Sequence, residues 1–331
     1  MIKDFEIENF RGIQSLKLEG FSNVNIFVGK PNTGKTSILE ALYLYLSKDP
    51  KSLFSLSRSR GTDSEEILDG FFYNYDLKSN ISLKGENNEI KISPSQASQK
   101  ITMDEENFKT KSFDFNADEY TVQINQKQHD AFEIKGKEPP QNQSELIKVA
   151  TFISHVPNLR YKNLFHNLTD MYLIREKRMQ IAEICKNFSK DIETIHVVNM
   201  RITVELKNLS RNIDLALMGN GFQSYLSIFT TILFEPKYIL IDEIENGLHF
   251  ENISLLLEKI LDFSKNIQFF ITTHNEELLR HIYYLLKSKK YGNNTLSVFT
   301  TYKDKMHNIK ASKYQQESFV FHMAHENELR S

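Results

Sequence analysis

Apolar and charged positions alternate in Phe5-Glu6-Ile7-Glu8 and again in Leu16-Lys17-Leu18-Glu19, the period of half-buried strands, with Gly12 and Gly20 marking turns. Val24-Asn25-Ile26-Phe27-Val28 is a short apolar run and predicts a buried strand; residues 36–42 predict a helix with one apolar face. From about 50 to 145 the chain turns to Ser, Asn, Lys, Gln and Glu. Short β-like pieces at 81–83, 89–92 and 120–124 interrupt it, with Asn87-Asn88 turning a hairpin between the first two. Ser64, Glu65 and Glu66 predict the start of a short helix through Leu68, and the loops around 135–142 are expected to be disordered. Residues 146–153 return to a core-strand pattern. Residues 158–194 are helical, with Leu164, Leu168, Met171, Met179 and Ile184 at helical spacing and no sustained heptad. Strands are expected at 195–198, 202–206 and 213–217.

The last third alternates cleanly: helix 222–234, strand 238–242, helix 251–263, strand 267–272, helix 275–287, strand 295–301. Such alternation predicts an α/β fold with a mostly parallel core sheet covered by helices. The expected organisation is a head formed by 1–50 and 145–311, with a helical lid at 158–194. A polar antiparallel β insertion occupies 51–144 and a tail 312–331.

Composition narrows the function classes. With 331 residues, 40% hydrophobic and 25% charged, the chain matches an ordinary soluble protein. Its net charge of −2 excludes a global basic field that draws in nucleic acid. Arg58-Ser59-Arg60, Arg175-Glu176-Lys177-Arg178 and Lys287-Ser288-Lys289-Lys290 remain as local basic stretches. Cys185 is the single cysteine, so neither an internal disulfide nor a cysteine metal site is expected. It lies in an apolar helical stretch, which predicts burial and fits a reducing, cytoplasmic setting. The N-terminus is acidic and strand-like rather than a secretory signal, and the longest apolar run, near 225–234, is too short to span a bilayer.

The chemistry is carried by Gly29-Lys30-Pro31-Asn32-Thr33-Gly34-Lys35-Thr36, a G-x-x-x-x-G-K-T phosphate-binding loop between the predicted strand and helix. Its glycines let backbone N–H groups close around an anion at a helix N-terminus. Lys35 supplies a cation to the β- and γ-phosphates, Thr36 a hydroxyl to Mg²⁺, and Ser37 continues the first helical turn. Tyr238-Ile239-Leu240-Ile241-Asp242-Glu243 is an apolar strand ending in two acids. At the carboxyl end of a parallel strand, Asp242 is placed to hold Mg²⁺ and Glu243 to orient or deprotonate the attacking water. His274 follows the next predicted strand and is placed to donate to the γ-phosphate.

Taken together these residues resemble the ABC-type ATPases of the SMC, RecF and OLD (overcoming lysogenization defect) group. Asn9-Phe10-Arg11-Gly12-Ile13 is similar to their N-terminal segment, and residues 28–41 to their Walker A segment. Asp242-Glu243-Ile244-Glu245-Asn246-Gly247-Leu248-His249 is similar to Walker B and D-loop, most closely that of OLD-type heads, and His274 matches the switch histidine. The resemblance covers about 1–50 and 145–300. It implies a P-loop ATPase head that binds ATP with Mg²⁺, hydrolyses it slowly and pairs as a homodimer or higher homo-oligomer around nucleotide. Its signature loop falls at 218–224, where Gly219 replaces the family's serine and Asn220 a glycine; Gly221 and the helix start remain to cap a partner's ATP. Where the family carries its Q-loop glutamine, Ser154 and His155 stand, and no residue is assigned.

The interval from Thr36 to Gly219 is much longer than in transporters, the SMC coiled coil is missing, and no Toprim nuclease domain is expected. The resemblance therefore implies a switch acting on a separately encoded effector, such as a nuclease in antiphage defence. A RecF-like DNA-repair ATPase is the alternative; it requires direct duplex binding, to which Arg175, Lys177 and Arg178 would contribute. A third reading is a module that binds ATP and barely turns it over.

Overall fold

The computed structural model describes residues 1–49, 51–59, 68–86, 88–94, 112–117, 120–125, 132–136, 149–154, 157–288, 291–292 and 295–325. The chain opens with β1 (Phe5–Phe10), β2 (Ile13–Leu18), β3 (Val24–Gly29), α1 (Lys35–Ser47) and α2 (Lys51–Ser59). Then come β4 (Ile81–Gly85), β5 (Glu89–Pro94), β6 (Ser112–Ala117), β7 (Tyr120–Asn125), β8 (Phe132–Gly136) and β9 (Ala150–Ile153). Next come α3 (Pro157–Tyr172), α4 (Arg175–Phe188), β10 (Ile192–Val198), β11 (Arg201–Leu206) and β12 (Ile213–Asp214). The chain continues through α5 (Asn220–Phe234), β13 (Tyr238–Ile241), α6 (Phe250–Phe263), β14 (Gln268–Thr272) and α7 (Glu276–Lys287), then β15 (Leu296–Lys303), β16 (Ile309–Gln315) and α8 (Gln316–Ala324).

The core is a six-stranded sheet in the order β16-β15-β3-β14-β13-β9. All its neighbours run parallel except β16, which returns antiparallel along β15. The parallel strands are apolar on both faces, as strands covered by layers on each side must be. In β3, Val24, Ile26 and Val28 face a cluster built from α3 to α7 with β10 and β11, while Phe27 faces a second cluster around α1. Residues Tyr238 and Leu240 of β13 and Phe270 of β14 join Phe27 on the α1 side.

A seven-stranded antiparallel sheet, β2-β1-β4-β5-β6-β7-β8, covers the α1 face. Its alternating burial follows from the period of two: Phe5, Ile7, Leu16, Leu18, Ile81, Leu83, Ile90 and Ile92 turn inward. The β4–β5 hairpin pairs directly with β1, so the strands of 51–144 extend the sheet that the N-terminal hairpin begins. The turn between β1 and β2 sends Arg11 (φ 51°) beneath α1, where its guanidinium stacks on Phe71, 4.2 Å from the ring centroid, and pairs with the buried carboxylate of Glu40. That pair fastens the hairpin to the helix that follows the phosphate loop.

Several expectations need correction. Strands β6 and β8 and helix α2 were not expected; Phe113-Asp114-Phe115 and Phe132-Glu133-Ile134-Lys135 do alternate apolar with polar, but too briefly to stand out in a polar stretch. β8 takes the first two residues of the stretch expected to be disordered; 137–142 of that stretch, and 64–67 of the short helix, lie outside the described residues. Residues 192–194 belong to β10, not to the lid helices, because β-branched Ile192, Thr194 and Ile195 favour the strand. Only Ile213 and Asp214 pair with β11; the Asp214 carboxylate then accepts the Ala216 N–H at 2.9 Å and turns 215–217 into a short 3₁₀ segment. Of the stretch expected as a tail, residues 312–315 belong to β16 and 316–324 form α8; 326–331 lie outside the described residues. Ile309 is the only fully buried residue of β16, so this edge strand reads as polar.

Two cations of α4 are used inside the fold. Lys177 Nζ donates to the Leu233 carbonyl at 2.8 Å and Arg178 Nη1 to the Tyr172 carbonyl at 2.7 Å, at the C-terminal ends of α5 and α3. Cations there satisfy orphan carbonyls and oppose the helix dipole. Cys185 is fully buried, as expected, and burial pushes its thiol up to about 12.

Candidate functional site

β3 delivers the chain to Gly29 at φ 149°, where a Cβ would collide with the Thr301 carbonyl oxygen of β15. Asn32 (φ 62°) and Gly34 (φ 86°) also lie in the left-handed region, and Gly34 caps α1. A side chain at Gly34 would meet Ile309 Cδ1 at 2.6 Å, so β16 closes the back of the loop. The Thr33 hydroxyl donates to the Lys30 carbonyl at 2.8 Å and lies 2.7 Å from the Thr301 hydroxyl. Lys30, Pro31 and Asn32 form the exposed tip; Thr36 and Ser37 sit in the first turn of α1, which carries no acidic residue. Lys35 Nζ folds back over the loop and donates to the carbonyls of Gly29 (2.9 Å) and Lys30 (3.0 Å). The result is a turn of backbone N–H groups at the positive end of a helix with a mobile-stemmed cation beside it, the chemistry an anionic phosphate chain requires.

Because β14 stands between β3 and β13, the ends of all three strands meet. Asp242, 3% exposed, accepts from the Thr36 hydroxyl at 3.0 Å and from the Thr272 hydroxyl at 2.8 Å. Glu243 is half-buried and holds φ 51°, an unusual value for a non-glycine residue. Its N–H donates to the same Thr272 oxygen at 2.7 Å. Thr272 thus bridges the two acids, donating to one side chain and accepting from the other residue's backbone.

The Thr36 and Asp242 oxygens also test for a metal. Two cis ligands of an octahedral Mg²⁺ with bonds of about 2.1 Å stand about 3.0 Å apart. The observed separation and the hard oxygen donors fit that ion.

Against known proteins, residues 24–280 match the family described as "AAA domain, putative AbiEii toxin, Type IV TA system". The chain belongs to that family. It is 25% identical over 336 residues to an ATP/GTP phosphatase of Helicobacter pylori, covering 89% of this chain and 91% of that protein. A segment is 40% identical over 65 residues to the DNA replication and repair protein RecF of Lactobacillus acidophilus, covering 20% of this chain and 15% of RecF. Among solved structures, an SMC head bound to the C-winged helix domain of ScpA superposes with TM-score 0.51 at 14% identity, covering 96% of this chain and 98% of that one. An SMC head with an extended coiled coil, bound to the C-terminal domain of ScpA derived from Pyrococcus furiosus, gives 0.51 at 10% identity, with 98% of each chain covered. The fold is therefore that of an ABC-type head, and the family match makes the chain an ATPase of the AAA kind. Among the described residues no helix is long and apolar enough to cross a membrane.

In this ATPase head the expected Walker residues converge, while the signature loop forms its own cluster. Gly219 is the N-cap of α5, with open space where a Cβ would stand. A Cβ at Gly221 would collide with the Gly247 carbonyl oxygen, and the Ser224 hydroxyl donates to the Asn246 carbonyl at 3.0 Å. The start of α5 therefore packs on the loop after Walker B. A small cavity lined by Ser154, Ser224, Asp242, Glu243 and Asn246 joins these parts. Ser154 thus reaches the acids from the end of β9; His155 lies outside the described residues. His274 is exposed, just past β14. Thr272 and Glu245 were not singled out from the sequence. The signal for Thr272 was a hydroxyl closing an apolar strand two positions before His274. Glu245 gave none, since its partner lies on another strand end.

Proposed function

We propose that this chain is an ATP-driven switch that closes as a pair of heads around nucleotide and reopens on hydrolysis. The observation that carries this reading is the chain of contacts from Thr36 through Asp242 and Thr272 to Glu243, which ties the phosphate loop to the two acids. The amides of residues 29–34 and the first turn of α1, with Thr36 and Ser37, would bind the phosphates, and Lys35 would unfold from its carbonyl contacts to neutralise them. Mg²⁺ held by Thr36 and Asp242 would withdraw charge from the β- and γ-phosphates. Glu243, with its backbone fixed by Thr272, takes a proton from the attacking water, and His274 contacts the γ-phosphate. Gly219 and Gly221 at the start of α5 would cap the nucleotide of the opposite head, with α5's N-terminus as the donor group.

The output is regulation of a separate effector protein in the cytoplasm, with a nuclease and antiphage defence as our preferred setting. The resemblance of Walker B and its D-loop to OLD-type heads supports this, as does a family description that mentions a toxin. The RecF-like segment favours direct DNA binding as the alternative; engagement of Lys177 and Arg178 at helix ends weighs against it.

Light scattering after size exclusion, with and without ATP and Mg²⁺, tests the switch. Glu243→Gln should trap a nucleotide-bound dimer, and Lys35→Ala should remain monomeric under the same conditions. A Glu243→Gln protein that stays monomeric with ATP, or hydrolyses at the wild-type rate, defeats the reading. Salt-dependent duplex binding by the isolated protein would favour the alternative.

A further inference from the structure

Glu245 lies two positions beyond Glu243, and none of the roles above uses it. Its side chain is 7% exposed. One oxygen, Oε1, accepts the His274 main-chain N–H at 2.8 Å and stands 2.9 Å from His274 Nδ1. The other, Oε2, is buried and has no hydrogen-bond partner among the described residues. A buried carboxylate with an unpaired oxygen is costly to keep. All that it gains is contact with one residue, and that residue lies at the nucleotide face.

Two donors from a single histidine converge on one acceptor, and this constrains the imidazole twice. The main-chain contact fixes where Oε1 sits, and the ring contact then fixes the rotation of the ring. An ionised carboxylate only accepts, so the proton belongs on Nδ1. Nε2 is left as the ring nitrogen available to a ligand, on a side chain that is 58% exposed, and a phosphate oxygen accepts there from a ring that carries a proton on Nε2 as well.

We propose that Glu245 is a positioning residue for ATP hydrolysis, holding the His274 ring by Nδ1 so that its Nε2–H is turned to the γ-phosphate. This rests on the reading of His274 as the γ-phosphate contact. The arrangement resembles the carboxylate behind a catalytic histidine in hydrolases, where the wrong tautomer is costly, with one difference. The His274 main-chain N–H also needs an acceptor at that point, so a glutamine in place of Glu245 has to put its carbonyl oxygen there, not its NH₂. The Nδ1–H contact survives that change.

The experiment is steady-state ATP hydrolysis by the full chain, with nucleotide affinity measured separately. Glu245→Ala should lower kcat by about 10–100-fold, the usual loss on removing a group that orients a functional histidine, and leave the ATP Kd within about threefold. Glu245→Gln should stay within about threefold of wild type. In a His274→Ala background, Glu245→Ala should add no further loss, because residues acting as one unit are not additive. Additive losses, or Glu245→Gln as slow as Glu245→Ala, overturn the proposal. If His274→Ala itself leaves kcat unchanged, the reading of His274 fails; if His274→Ala is slow and Glu245→Ala is not, only the present inference fails. Nitrogen-15 NMR of the wild-type ring decides the matter even if Glu245→Ala does not fold: a neutral ring with its proton on Nε2 overturns it.

Discussion

The Thr36 hydroxyl donates to Asp242 Oδ1 at 3.0 Å, although 206 positions separate the two residues. The contact exists because α1 begins where β3 ends and β14 carries β13 to its side. If this pair holds Mg²⁺, wild-type protein should bind ATP at least about tenfold more tightly with Mg²⁺ than with chelator, a difference of about 1.4 kcal/mol. Asp242→Asn should erase the difference. Calorimetry in the two buffers checks this, and an unchanged Mg²⁺ dependence in Asp242→Asn counts against the assignment.

Thr272 is buried and bonded to both acids. Thr272→Val keeps the shape but removes the hydroxyl, leaving the Glu243 N–H without its acceptor and Asp242 without one of its donors. We expect a loss of about 1–3 kcal/mol in urea denaturation and a lower kcat. Thr272→Ser should recover most of both, since it restores the oxygen.

Gly29 and Gly219 should respond in opposite ways to alanine. At Gly29 the backbone is left-handed and a Cβ would strike the Thr301 carbonyl. Gly29→Ala should cost at least about 1–3 kcal/mol and abolish nucleotide binding. Gly219 has ordinary backbone angles and nothing within 4 Å of a built Cβ. Gly219→Ala should melt like wild type, and any effect should appear only in ATP-dependent dimerisation. Thermal melts and light scattering separate the two.

Cys185 supplies a pH test. Burial holds its thiol at about 12 in the folded chain, above its ordinary value of 9.0. The raised value means its contribution is complete below the unfolded pKa and is lost as pH rises towards the folded one. Between about pH 9 and 12, ionisation of the unfolded thiol should erode stability at up to about 1.4 kcal/mol per pH unit. Chemical denaturation at pH 8 and pH 10 should therefore show a fall that Cys185→Ala lacks, and at pH 8 a thiol reagent should modify the native protein only as fast as it opens.

The sequence by itself determined the parallel core and the Walker positions. A strand that is apolar on both faces, a glycine pair at fixed spacing and an acid pair at a strand end are local patterns, and local patterns survive in one dimension. Strands β6 and β8 escaped because their alternation, Phe113-Asp114-Phe115 and Phe132-Glu133-Ile134, is short and set in a polar stretch, and β16 escaped because Ile309 is its only buried residue. Thr272 between the acids, Glu245 behind His274, and Lys177 and Arg178 at helix ends were decided only by the tertiary structure. Each of those contacts joins segments that are distant in sequence or depends on where a helix stops. Strand order and helix packing set such distances, and the period of hydrophobic residues carries no record of either.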